Sequence, residues 1–145
     1  IKNNLSKKKF DYEKNSFPKI SKILKMIPKA YENFEKTRKM IGWESNTKII
    51  LQFNNQDKVI GDPIGVIISC NGDEIKNLMN EEEIEKIEKY LLMSLDLRLL
   101  DWLLQGPRKV HWSVIDIGCH IKYKRVPNTY ERALYYCWNR FFVAN

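Results

Sequence analysis

TKIILQFNNQDKVIGDPIGVIISC, residues 47–70, holds two β-branched runs set apart by Asn, Asp, Gly and Pro. Val and Ile favour the pleated, half-buried surface of a sheet, and the residues between the runs favour turns. The pattern predicts strands at 47–53 and 64–70, a short one at 58–60, and a close at Asn71-Gly72.

Upstream, Phe17, Ile20, Leu24, Ile27, Tyr31 and Phe34 recur every three or four residues with lysines between them, the spacing of an amphipathic helix. Pro28 removes a donor and crowds the carbonyl four residues back, which predicts two helices, 18–26 and 28–41, ended by Gly42. Residues 1–15 carry the triplet Lys7-Lys8-Lys9 and little to bury, so they are expected to form a basic, flexible arm ahead of a single globular domain over 16–145. Ile1, not Met, opens the chain, as a trimmed or cleaved start would give. The arm has no Arg and no apolar core, and so supports neither a mitochondrial nor a secretory address.

Downstream, Asn80 followed by Glu83 resembles a capping box, and the glutamates after it suit the positive end of a helix dipole. That start predicts one long helix near 81–104, about 37 Å at 1.5 Å per residue, stopping at Gly106-Pro107. Its second half, Tyr90 to Leu104, is apolar on nearly every side and reads as a buried central helix or a partner face. KVHWSVIDIGCHIKYKRV (109–126) alternates with period two and predicts a long strand, with a bulge at Gly118 as an alternative. Asn128 and Glu131 repeat the capping pattern and open a last helix near 129–142. The order predicts an α+β fold: a small, mostly antiparallel sheet of about three strands with helices packed on one face.

The chain has 145 residues and a formal charge of +7. Residues 1–72 balance at +7, 73–105 at −5 and 106–145 at +5. Lys outnumbers Arg 19 to 6, with 17 Ile and 13 Asn, as an A/T-rich coding genome would give, so arginine placement says more about nucleic acid than lysine abundance does. Cys70, Cys119 and Cys137 form no disulfide framework, which points to a reducing, intracellular compartment. No apolar run reaches the roughly 18 residues of a membrane span, and Pro28 argues against a helix lying along a membrane surface.

Chemistry-bearing motifs are scarce. GDPIG (61–65) lacks the spacing of a phosphate loop, and the acids after Asn71 do not follow a calcium loop. His111, Asp116, Cys119 and His120 are close in sequence, yet an extended strand would hold His111 about 26 Å from Cys119 and Asp116 about 13 Å from His120. No metal site or cofactor is therefore expected, and His111, Asp116 and His120 are only weak catalytic suspects. Residues 108–142 stand out instead, carrying eight aromatic side chains and four arginines. Trp, Tyr and Arg are enriched at interfaces and stack on bases.

The leading expectation is a non-catalytic interaction module or assembly subunit, self-associating or binding another protein, with Trp102, Tyr135, Trp138 and Phe142 as anchors. The alternative is a nucleic-acid-associated protein using Arg108, Lys122, Tyr123, Lys124 and Arg125, where cations and a ring interleave. An enzyme built on the histidines comes third.

Overall fold

The computed structural model describes Tyr12 and residues 16–112 and 120–143. Among these residues the chain forms four helices and six strands in an α+β arrangement. A 22-residue helix α1 (Ile20–Ile41) leads into the strands β1 (Ser45–Asn55), β2 (Lys58–Val59), β3 (Gly65–Cys70) and β4 (Lys76–Leu78). A single helical turn α2 (Glu82–Glu85) follows, then β5 (Tyr90–Asp96), α3 (Leu97–Gln105), β6 (Ile121–Val126) and α4 (Arg132–Trp138).

The sheet is larger than the three strands expected; it is mostly antiparallel, as expected, with one parallel pair that makes it mixed. Its order is β4-β3-β1-β5-β6, with β2 paired to the end of β1. β1 runs antiparallel to β3 and parallel to β5, and β5 runs antiparallel to β6. A Cβ at Gly65 would run into the Leu51 carbonyl, so the close approach of β3 to β1 requires glycine there.

The long helix predicted over 81–104 is replaced by α2, β5 and α3. Asn80 does cap as the sequence suggests, its Oδ1 accepting from the Glu83 N–H at 3.2 Å, but the helix lasts one turn. β5 lies between β1 and β6 and is covered on both faces, so its apolar run is a central strand. Asp96 then starts α3, its carboxylate accepting from the Arg98 N–H at 2.9 Å.

Two other boundaries move. α1 runs unbroken through Pro28 instead of dividing in two. Pro28 is exposed, on the side where a carbonyl without its donor can turn to water, while Ile23, Ile27, Ala30 and Phe34 form one buried stripe across it. α1 ends at Gly42, whose φ of +68° permits the turn. Of the strand predicted over 109–125, residues 113–119 lie outside the described residues, and pairing begins at Ile121. The last helix is shorter than predicted at both ends, and Glu131 makes no cap: its carboxylate accepts instead from Ser45 and Thr47 at the start of β1.

The two sheet faces are unequal. Ile49, Leu51 and Phe53 of β1, with Leu91, Met93 and Leu95 of β5, pack beneath α1, α3 and α4 in the main core. The opposite face carries a small cluster of Ile50, Leu78, Ile84 and Tyr90, supplied in part by α2. Beyond it lies a buried polar row: Ser94 donates to Gln52 at 2.8 Å, and Arg98 pairs with Asp96 at 2.9 Å. Tyr12, the only described residue of the first 15, is buried in the main core. No described helix is long and apolar enough to cross a membrane.

Candidate binding surfaces

β6 begins inside the core and ends outside it. Its register pairs Leu95 with Ile121, Met93 with Tyr123 and Leu91 with Arg125, which puts these three β6 side chains on the helix-covered face. Lys122 and Lys124 point to the other face. Ile121 is buried, Tyr123 is 47% exposed, and Arg125 is half-buried. The chain then turns at Pro127 and brings Tyr130, 63% exposed, back over the strand end. The Tyr130 and Tyr135 rings stack at 5.0 Å and 14°, and the Arg125 guanidinium lies 5.6 Å from the Tyr130 centroid. The start of α4 is pinned by the bonds from Ser45 and Thr47 to Glu131 and by Lys89 at 3.7 Å from that carboxylate. Burial raises the Tyr123 phenol, and it raises that of Tyr135 against the opposing pull of Arg125, so both rings stay neutral beside the cations.

A second surface lies between α1 and the end of the chain. An open groove of about 450 Å³ is lined by Lys36 and Met40 on α1 and by Pro107, Tyr136, Arg140 and Phe142. Asn33 fixes its floor by donating to the Phe142 carbonyl at 2.6 Å, and the Thr37 hydroxyl donates back to the Asn33 carbonyl at 3.2 Å. Met40 is 75% exposed and Tyr136 is 52% exposed. The lining has two cations, neutral polar and apolar side chains, and no carboxylate.

No family model matches this chain, nor does any curated protein or solved structure.

The four expected anchors are not brought together. Trp138 sits in the core, stacked on Phe141 at 4.2 Å and edge-on to Trp112 at 5.0 Å. Trp102 is half-buried against Tyr12, with Lys109 over its ring. Tyr135 belongs to the stack beside β6, and Phe142 to the groove. Of the nucleic-acid set, Arg125 reaches Tyr130 and Tyr135, and Tyr123, Lys122 and Lys124 share its strand. Arg108 is exposed in the turn after α3, apart from that set.

The catalytic suspects do not form a site among the described residues. Asp116 and Cys119 lie outside them. His111 is half-buried, and His120 packs edge-on to Tyr12, whose hydroxyl lies 3.0 Å from its Nδ1. Burial pushes the Cys70 thiol up to about 12 and raises that of Cys137, the opposite of an activated nucleophile. Among the described residues, no group of three or more His, Cys, Asp or Glu side chains could hold a metal.

Sequence reasoning missed Met40, Lys36 and Tyr136. Tyr136 had a visible signal, since it falls off the buried stripe of Leu134, Cys137 and Trp138. Met40 and Lys36 had none, because the groove exists only once α1 and the chain end are packed together.

Proposed function

We propose that this chain acts by association, as a subunit of an assembly of like copies in which the α1–α4 groove of one copy takes the acidic stretch 79–88 of the next. The expectation of surplus apolar surface over 90–104 no longer supports association, because Leu91, Met93, Leu95, Leu97, Leu99, Leu100, Leu103 and Leu104 are all buried within the chain. What carries the reading is charge. The groove presents Lys36 and Arg140 with no carboxylate, while Glu82, Glu85 and Glu88 are exposed. Among the described residues none of these five groups makes an ion pair. α2 packs on the opposite sheet face from α1 and α4, so one copy cannot join its own two regions. Met79, 50% exposed at the head of the acidic stretch, supplies an apolar tip for Met40 and Tyr136.

Sedimentation velocity on the full chain at low and high salt tests this. The expected result is an oligomer at low salt that dissociates as salt rises. Lys36→Glu/Arg140→Glu should lower the mass, Glu82→Lys/Glu85→Lys should do the same, and the fourfold variant should recover it. A monomer at both salts, or an oligomer unaffected by either reversal, overturns the proposal.

A further inference from the structure

We propose that the strand end formed by β6 and the segment leading into α4 binds single-stranded nucleic acid, with bases stacking on Tyr130 and Tyr123 and phosphates meeting Lys122, Lys124 and Arg125. This surface is distinct from the α1–α4 groove and stands whether or not the chain self-associates. Single strands are bound by rings that stack on unpaired bases together with cations that follow the backbone. Both elements are present here.

The rings are exposed yet held. Tyr130 is 63% exposed, but its ring is fixed by the stack on Tyr135 at 5.0 Å and by Arg125 at 5.6 Å. A ring already held in one orientation loses little freedom when a base lands on it. Tyr135 is in turn carried by α4, whose start is tied to β1 through Glu131. Tyr123, 47% exposed, offers a second platform on the neighbouring strand.

The charges are only weakly compensated from nearby. β6 is the outer strand of the sheet among the described residues, with Arg125 on the face of the rings and Lys122 and Lys124 on the other, so a nucleic-acid strand that crosses its edge can meet all three. Two acids lie close. Asp57 pairs with Lys122 at 3.1 Å, but the two side chains are 86% and 70% exposed, so a phosphate can displace that contact at little cost. Glu131 is already held by Ser45, Thr47 and Lys89. A duplex keeps its bases stacked on one another and could use only the charges, so the exposed rings favour a single strand.

The test is fluorescence anisotropy with the full chain and labelled 20-nucleotide oligo(U), oligo(dT) and a 20-base-pair duplex. Either single strand should bind about tenfold tighter than the duplex, and the tighter of the two identifies RNA or DNA as the source. The logarithm of the binding constant should fall with log salt with a slope of about −2, from three contacts at roughly −0.7 each. Tyr130→Ala should weaken single-strand binding at least about fivefold, while Tyr130→Phe should keep it. Lys122→Gln/Lys124→Gln should reduce the slope by about 1.4. Equal affinity for duplex and single strand, an unchanged affinity in Tyr130→Ala, or no binding at low salt by a natively folded chain would overturn the proposal.

Discussion

The two faces of the sheet are built from the same strands by opposite means. On the helical face, alternate residues of β1 and β5 join Phe34, Trp112, Trp138 and Phe141 in a thick aromatic layer. On the other face, the residues between them meet only a thin cluster around Ile50 and Ile84, then the polar row of Gln52, Ser94 and Asp96. Burial of large apolar area stabilises the first face. The second depends on hydrogen bonds and one buried ion pair, which stabilise only while every partner is present.

The largest expected effect therefore lies in the thick layer. Trp138→Ala should cost about 3–5 kcal/mol in urea denaturation, as large aromatic truncations in cores do. Trp138→Phe should cost much less, because the indole N–H makes no hydrogen bond among the described residues. A loss below about 1 kcal/mol for the alanine variant would mean that the aromatic layer is not the main support of the fold.

Next comes the ion pair of the thin face. Asp96 accepts from the Arg98 guanidinium and from the Arg98 and Gln56 N–H groups. Burial alone would raise its carboxyl; those hydrogen bonds and the Arg98 charge outweigh burial and hold it below the ordinary carboxylate range. Asp96→Ala should cost about 3 kcal/mol, since it takes the carboxylate partner from a buried guanidinium. The depressed value also sets the sign of the pH dependence. Its stabilisation is complete above the ordinary aspartate range and is lost as pH falls through the lower folded value. The alanine variant should thus show a flatter fall in stability on acidification than the parent, measured by urea midpoints from pH 6 downward. Parallel curves would remove Asp96 from the account.

The same contrast explains what could be read from the sequence. Residues 47–53 and 64–70 declared themselves because β-branched runs there end in Asn, Gly and Asp-Pro. Residues 90–96 did not. Leu91, Leu92, Met93 and Leu95 favour helix, and a central strand covered on both faces shows no alternation, so it read as one helix with the Leu-rich α3. Asp96, a capping residue between two leucine runs, was the available sign of the boundary. Trp138 was expected as a partner anchor and is core instead; its stripe with Leu134, spaced four residues away, was the available sign. Tyr123 and Arg125 could be grouped by strand alternation. Their meeting with Tyr130 and Tyr135 could not, because it depends on how the chain returns after Pro127.

A smaller effect should follow from thinning the second face further. Ile84 is the side chain by which α2 closes that cluster, and it is 7% exposed. Ile84→Ala should cost about 2 kcal/mol, the low end for such truncations, because the site lies near solvent and can relax. Hydrogen exchange should show the loss as faster opening of residues 79–89, with β1 and β3 still protected. Equal acceleration in β1 would mean that the two faces unfold as one unit.

The smallest effect is expected where this polar face reaches solvent. Lys122 and Asp57 approach to 3.1 Å, but at 70% and 86% side-chain exposure water competes fully for both charges. Exposed pairs of this kind contribute between nothing and about 1 kcal/mol. Lys122→Gln should shift stability by no more than about 0.5 kcal/mol, and raising the salt should not enlarge the difference. The contrast with Asp96 is then one of burial, since both contacts join an aspartate to a cation at about 3 Å and only one is closed off from water. If Lys122→Gln instead destabilised the fold by 2 kcal/mol or more, the edge of β6 would be a structural support, and a loss of nucleic-acid binding in the lysine variants would have to be read as a loss of structure.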